Sequence, residues 1–487
     1  MKLLFALLFS LGPSLFAAPP NIILINIDDL GYADIAPFGG KTATPQLDRM
    51  AREGMRLTSH YAAPVCSPSR AAMMTGCYPK RVLPIPHVLF PVAAVGLNPE
   101  EVTVAEVLKQ SGYATACIGK WHLGDQPEFL PTAQGFDHYY GIPYSNDMGP
   151  RAEGAKSNPD KPLPKAQEPG KKNKGKSADG PEVGIRGDQP PLPLVDDHNV
   201  VERVKAAGQH TFTRRYTERA VQYITEHQKE PFFLYLPHNA VHFPLYPHQD
   251  YIGKSGGSLQ NDWVMEVDWS VGRVLDTLRE LKLDANTLVI FTSDNGGPLN
   301  QGANNKPLRG GKGSTLEGGI RVCTLAWWPG RVKENTTTEL ITAHMDWLPT
   351  FAALAKAGLP HDRKIDGRDI SPILLAQNDA HGHDAFYYYH GFDLQAVRSG
   401  PWKLHLNKAE LYNLETDIGE ARDTAAENPD QVARLKALAE TMKADLGDKT
   451  KDFPGVRPLG QVANPQPLIS QDGTVREGYN ALAKTLP

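Results

Sequence analysis

Cys66 opens the segment Cys66-Ser67-Pro68-Ser69-Arg70-Ala71-Ala72-Met73-Met74-Thr75-Gly76, whose order suggests a reactive group at the start of a short helix. Pro68 suits the first turn of a helix, and Gly76 suits the position just past its end. Cys66 then sits at a helix N-terminus, where the dipole favours negative charge. Arg70 follows one turn later on the same face and can reach whatever Cys66 acts on. The pattern alone equally fits a buried cysteine that starts a helix and does no chemistry. Other parts of the chain must decide.

Four polar clusters stand where apolar runs stop. Asn21–Ile27 leads to Asp28-Asp29. Ala114–Ile118 leads to Gly119-Lys120-Trp121-His122. Phe232–Leu236 leads to His238 and His242. Leu288–Thr292 leads to Ser293-Asp294-Asn295-Gly296. In open α/β sheets, ligands bind beyond the carboxyl ends of the strands. Asp28-Asp29 alone also fits a turn with capping carboxylates, but four such ends on one sheet edge resist a purely structural account.

Asp28, Asp29, Asp294 and the amide of Asn295 are hard oxygen donors that suit Ca²⁺ or Mg²⁺. No Cys/His cluster has zinc spacing. A divalent cation there would offset the charge of a bound anionic ester and polarise one of its oxygens. Arg70, Lys120 and Lys312 are the positive groups. Lys312 lies in Leu308-Arg309-Gly310-Gly311-Lys312-Gly313, ahead of Glu317-Gly318-Gly319-Ile320-Arg321. Such a loop can close over a tetrahedral anion, and by itself it also fits a plain turn. His122 and His242 can exchange protons near neutral pH. His238 reads as a hydrogen-bonded structural residue.

These groups need a frame. Short apolar runs alternating with helical patterns indicate a mainly parallel α/β sheet. Thr103 and Glu106 form a capping box for a helix to Gln110, which Gly112 closes. Asp262–Leu281 reads as a helix, and Asp346 is expected to cap another that runs to about Ala357. Residues 150–193 are rich in lysine, proline and glycine and read as a mobile surface insertion. Its run Lys171-Lys172-Asn173-Lys174-Gly175-Lys176 is a solvated loop or a contact for an anionic polymer. From about Asp384 the texture shifts to short β-like runs, Ala385–Tyr389, Gln395–Arg398 and Lys403–Leu406, then a helix over Asp430–Leu446. The expected division is a catalytic unit over 20–384 and a small C-terminal α+β subdomain over 385–487.

The chain has 487 residues, a net charge of −4 and 22% charged residues, so nothing in its field indicates nucleic acid. Residues 1–18 read as a secretory signal peptide: Lys2, an apolar stretch too short to anchor in a bilayer, then small residues. No later segment reads as a membrane span, so the protein is expected to be exported, periplasmic or secreted. Cys66, Cys77, Cys117 and Cys323 are too sparse for a disulfide framework.

The Cys-x-Pro-x-Arg core followed by Thr-Gly resembles the signature of type I, formylglycine-dependent sulfatases of the arylsulfatase A and N-acetylgalactosamine-6-sulfatase kind. Asp28-Asp29, Cys66–Gly76, Gly119–Gly124, Gly135–Gly149, Ala240–Leu245, Ser293–Gly297, Gly310–Arg321 and Ala396–Leu414 fit in order. The resemblance implies an alkaline-phosphatase-like fold. It implies that a maturation enzyme converts Cys66 to formylglycine, and that Asp28, Asp29, residue 66, Asp294 and Asn295 hold one Ca²⁺. Arg70 and Lys120 would stabilise the formylglycine and the sulfate, and Lys312 would also bind sulfate. One hydroxyl of the hydrated aldehyde attacks sulfur while His242 protonates the leaving alcohol. His122 then removes the proton of the second hydroxyl, and sulfate is expelled. Sulfated sugars, galacto-configured and sulfated at O4 or O6, are the expected substrates.

Three departures stand out. Cys323 replaces a proline usual after Gly-Gly-Ile-Arg-Val, the 150–193 insertion is long, and Arg81–Pro91 does not align. Two rivals remain. A phosphatase or phosphodiesterase of the same superfamily would need a Ser or Thr nucleophile and more histidine ligands for two zinc ions. An inactive glycan-binding homologue would not need every catalytic position filled.

Overall fold

A computed structural model describes residues 19–164 and 181–479. The expected signal segment, the lysine-rich run 171–176 and residues 480–487 lie outside the described residues.

The frame is an eleven-stranded sheet. Its order is Thr336–Thr338, Met55–Tyr61, Arg321–Trp327, Thr287–Ser293, Asn21–Ile27, Phe232–His238, Ala114–Ile118, His138–Gly141, Leu192–Asp196, Asn199–Val204, with Thr342–Ala343 also paired to Met55–Tyr61. Five neighbours from Thr287–Ser293 to His138–Gly141 run parallel. Antiparallel strands extend the sheet on both sides.

The central strands read as unbroken apolar runs because both faces are covered. Successive side chains of Asn21–Ile27 divide between two cores. Ile22 and Leu24 join Phe233, Tyr235, Trp121 and Trp347 on one face. Ile23, Ile25 and Ile27 join Leu234, Phe291, Trp263 and Val267 on the other. Each fully buried side chain of this size contributes about 1.5–3 kcal/mol.

Asn21–Ile27 and Ala114–Ile118 have the expected bounds. The capping box is present: Glu106 N–H donates to Thr103 Oγ1 at 3.2 Å, and Thr103 N–H to Glu106 Oε2 at 2.7 Å. The long helix is Leu259–Glu280 and starts before Asp262, because Ser258 and Asn261 form their own reciprocal cap. Asp346 does not cap the helix Trp347–Ala355 that follows it. Its carboxylate instead accepts from Ala343 N–H at 2.7 Å and Arg368 N–H at 3.0 Å, and bonds His383 Nε2 at 2.7 Å.

Two further expectations change. The insertion expected over 150–193 ends short of Pro193, because Leu192–Asp196 is a strand of the main sheet. Its described start also packs: Leu245 N–H donates to Asn158 Oδ1 at 2.8 Å, and Tyr246 OH to Ser157 O at 3.0 Å. At Cys323 the strand Arg321–Trp327 shifts register against Met55–Tyr61, so the residue sits at an irregularity of the sheet.

The C-terminal part is a four-stranded antiparallel sheet, Phe386–His390, Asp393–Ser399, Trp402–His405 and Glu410–Asn413. The last strand, Glu410–Asn413, goes beyond the three β-like runs expected from the sequence. The helix Pro429–Leu446 buries Leu435, Ala439 and Leu446 against Leu394, Ala396 and Leu404. All four cysteines are free and buried. Among the described residues no helix is long and apolar enough to cross a membrane.

Candidate active site

The four polar clusters meet because their strands are parallel neighbours in register. Ile27 pairs with His238 on one side and with Ser293 on the other, so Asp28 and Asp294 leave the sheet side by side. Ala114–Ile118 pairs with the far side of Phe232–His238 and delivers Lys120 and His122 to the same edge. Asp29 turns there with φ 64°, a left-handed conformation that Asp tolerates better than most residues. His122 adopts φ 65°.

The helix Cys66–Thr75 lies against this edge, wholly buried, and Gly76 ends it at φ 70°. Cys66 is its first residue. Its Sγ is 3.4 Å from Asp28 Oδ1 and 3.6 Å from Lys312 Nζ. One turn on, Arg70 donates from Nη2 to Asp28 Oδ2 at 3.1 Å and to Asp294 Oδ2 at 2.9 Å, and also bonds the carbonyl of Lys120. Lys120 Nζ pairs with Asp28 and donates to Ser145 Oγ at 3.1 Å. Lys312 Nζ holds both oxygens of Asp29, at 2.7 and 2.9 Å. Arg70, Lys120 and Lys312 thus face Asp28, Asp29 and Asp294, and the cluster is close to neutral.

Its electrostatics follow from burial and pairing. Burial raises the Asp28 carboxyl, but Lys120, His242, Arg70 and Lys312 outweigh it and hold the group well below the usual carboxylate range. Burial and the neighbouring Asp28 raise Asp294 despite Arg70. Burial, Asp28 and Asp294 push the Cys66 thiol well up, so the encoded side chain stays protonated in spite of its helix terminus. Burial depresses Lys312, but Asp29, Cys66 and Asp28 more than reverse it.

The two histidines are held differently. His122 Nε2 lies 2.9 Å from the carbonyl of Leu89, an acceptor only, so the ring proton belongs on Nε2. Nδ1 is then a lone-pair acceptor, and it is buried without a partner. Burial, Lys120 and Arg70 depress this imidazole's pKa. His242 Nδ1 bonds the carbonyl of Phe243, and Nε2 lies 3.6 Å from Asp29 Oδ2. Burial and Lys312 lower its pKa against the pull of Asp29 and Asp28. Ser145 Oγ stands 3.4 Å from His242 Nδ1 and so links that ring to Lys120. His238 is the last residue of its strand and bonds Ser270 Oγ at 3.2 Å. Burial lowers its pKa to about 3.

The carboxylate oxygens of Asp28 and Asp29 suit a hard cation, whereas the thiol and imidazole grouped with them are softer donors. Ligand atoms of Asp28, Asp29, Cys66 and His242 all lie within 4.8 Å of one another. Asn295 Nδ2 donates to Asp29 Oδ1 at 2.7 Å, while its buried Oδ1 has no hydrogen-bond partner. A buried amide oxygen without a hydrogen-bond partner, on a side chain that touches Asp29, fits a ligand for a hard cation. His242 joins this group although the sequence assigned it only proton transfer.

All the site residues singled out in the sequence therefore converge. Ser145 lies in the matching segment Gly135–Gly149 but receives no role from the sequence, and the carbonyl of Leu89 is not signalled at all. Ser145 follows the strand His138–Gly141, a fifth parallel strand end that the same rule could have flagged. A backbone acceptor in the proline-rich stretch 81–91 leaves no side-chain signal.

The family profile described as Sulfatase matches residues 20–357. The chain belongs to the sulfatase family. Arylsulfatase A of Bos taurus is 39% identical to the sulfatase over 419 residues, 83% of this chain and 78% of the relative. N-acetylgalactosamine-6-sulfatase of Canis lupus familiaris is 36% identical over 410 residues, 81% and 73% of the two chains. Among solved structures, Ps i-CgsB in complex with k-i-k-neocarrahexaose superposes on the sulfatase with a TM-score of 0.71 at 30% identity, covering 87% of this chain and 92% of that one. The fold is the alkaline-phosphatase-like fold of these enzymes, and the sulfatase is a sulfuric ester hydrolase.

Proposed function

We propose that this sulfatase removes sulfate from sulfated carbohydrates, using formylglycine made from Cys66 by a maturation enzyme and one Ca²⁺. The observation that carries the reading is the convergence of Arg70, Lys120 and Lys312 with three carboxylates around the Cys66 side chain. Asp28, Asp29, residue 66, Asp294 and Asn295 would hold the ion, with His242 in reach. A bound Ca²⁺ offsets the charge of the ester and polarises one sulfate oxygen. Formylglycine supplies a hydrated aldehyde with one hydroxyl to attack sulfur and a second through which sulfate can be expelled.

The chain's own residues do the rest. Lys120 and Lys312 bind sulfate oxygens from two sides, and Arg70 locks Asp28 and Asp294 in place beneath them. His242, as the imidazolium facing Asp29, delivers a proton from Nε2 to the leaving alcohol and keeps Nδ1–H tied to the Phe243 carbonyl. His122 accepts a proton at Nδ1, since its Nε2–H is committed to Leu89. General acid–base groups of this kind contribute about 10²–10⁴-fold each.

A sugar substrate is supported by the carrahexaose complex of the solved relative. A galacto-configured residue sulfated at O6 is supported by the name of the N-acetylgalactosamine-6-sulfatases, and sulfation at O4 is the alternative position. Export through the 1–18 segment, and division into a catalytic unit over 20–384 and a subdomain over 385–487, are part of the same proposal.

Peptide mass spectrometry of active protein is expected to find an aldehyde at residue 66, and Cys66→Ala is expected to abolish turnover. Full activity with an intact Cys66 thiol would overturn the nucleophile assignment. A screen of matured protein against sulfated mono- and disaccharides is expected to release inorganic sulfate. Hydrolysis confined to phosphate esters would overturn the reaction class.

A further inference from the structure

Lys312 is carried by a loop that is hard to hold still. Gly310, Gly311 and Gly313 surround it, two of them at φ 81° and 80°, and glycine gives the backbone its widest freedom. Near the site, the loop is tied by Lys312 N–H to Gly297 O at 3.3 Å and Gly313 N–H to Pro64 O at 2.9 Å. Asn305 Nδ2 adds a bond to Gly310 O at 3.0 Å.

The other side is tied to the C-terminal sheet. Lys403, fully buried on the strand Trp402–His405, donates to Thr315 O at 2.8 Å and pairs with Glu317 and Glu420, each at 2.9 Å. Glu420 Oε2 accepts the N–H of Glu317 at 2.7 Å, and its carbonyl accepts from Arg309 Nη1 at 2.8 Å. Thr315 Oγ1 donates to Gln395 Oε1 at 2.9 Å. The hydroxyls of Tyr61 and Tyr388 complete Glu317 at 2.7 and 3.0 Å. The sheet, through Lys403 and Gln395, and Glu420 in the segment after it therefore hold the loop at 309, 315 and 317, on both sides of Lys312.

A buried ion network is a poor source of stability, because desolvation offsets most of the attraction. It does impose geometry. We propose that Lys403, acting with Glu317 and Glu420, is a positioning residue that keeps the Lys312 ammonium on the anion site. The C-terminal sheet then takes part in substrate binding without touching substrate. This rests on the assignment of Lys312 to sulfate binding.

The test is a double-mutant cycle on matured full-length enzyme, reading KM and kcat for a nitrophenyl sulfate and the inhibition constant of inorganic sulfate. Lys403→Met is expected to raise KM and the sulfate inhibition constant about tenfold, with a smaller change in kcat. In the Lys312→Ala background the same substitution should add nothing. Gln395→Leu, which removes one surface-side tether, should give a shift of about two- to threefold that also vanishes in that background; it carries the test if Lys403→Met does not fold. Equal shifts in both backgrounds, or no shift from either substitution, would overturn the positioning role alone. If Lys312→Ala leaves both constants unchanged, the sulfate-binding assignment fails and takes this proposal with it.

Discussion

Arg70 donates twice to one oxygen of Asp294, from Nε at 3.1 Å and from Nη2 at 2.9 Å, and leaves the other oxygen to the N–H of Asp29. The fork geometry of a guanidinium makes this possible, and the same Nη2 also reaches Asp28.

Arg70→Lys is therefore not conservative. A single ammonium cannot span Asp28 and Asp294 and the carbonyl of Lys120, and one buried carboxylate loses its partner. Such a loss costs about 3–5 kcal/mol when a buried pair is broken outright. Denaturant titration is expected to show lower stability, and activity should fall at least about tenfold. An Arg70→Lys enzyme with unchanged midpoint and rate would show that the guanidinium is dispensable.

The two histidines should separate by substrate. A nitrophenol leaves with little help, whereas a sugar hydroxyl needs its proton. His242→Ala is expected to lose about 10²–10⁴-fold on a sulfated sugar and far less on a nitrophenyl sulfate. His122→Ala should impair both alike, because the proton transfer proposed for it follows departure of the alcohol. Equal losses for His242→Ala on the two substrates would assign it to sulfate or metal binding, and Lys312 would become the next candidate acid.

The orphaned Asn295 oxygen bears on the metal. Chelation is expected to remove activity and Ca²⁺ to restore it. Asn295→Ala should raise the Ca²⁺ concentration needed for half-maximal rate. Restoration by Zn²⁺ alone, or two zinc ions per chain by elemental analysis, would contradict a single calcium site.

Glu266 offers a test of stability against pH. It is buried in the helix Leu259–Glu280, accepts only the His248 N–H at 2.8 Å on Oε2, and has no partner for Oε1. Burial raises its pKa from 4.5 to about 8. Between those values the folded chain keeps a proton that the unfolded chain releases, so stability falls as pH rises. Glu266→Gln removes this loss. Relative to the parent, its stability should rise from pH 5 to pH 8 by about 3 kcal/mol. A difference that is flat across this range would show that Glu266 ionises freely in the fold.

Much of the site was legible because chemistry and periodicity agreed. Asn21–Ile27 could be bounded by eye, since a strand buried on both faces is an apolar run that stops where polarity begins. That stop is also where function starts. Arg70 followed from helical spacing alone. The parts that escaped lack such a signature. The Leu89 carbonyl is backbone, so no residue type announces it. Glu410–Asn413 is short and half polar, and pairs with Trp402–His405 only after the chain has folded back. Asp346 looked like a cap because acids precede helices. Tertiary partners, His383 and the Arg368 N–H among them, bind its carboxylate instead.

The register of Asn21–Ile27 against its two neighbours acts as a ruler. Side chains on a strand alternate faces, so deleting or adding one residue between Asn21 and Ile27 would swing Asp28 to the opposite side of the sheet and slide it out of line with Asp294. Loops at the other end of these strands can lengthen freely without that penalty. Length polymorphism in this enzyme should therefore be strongly one-sided: tolerated ahead of Asn21, Phe232 and Thr287, and lethal to activity within the seven residues of each strand that follows.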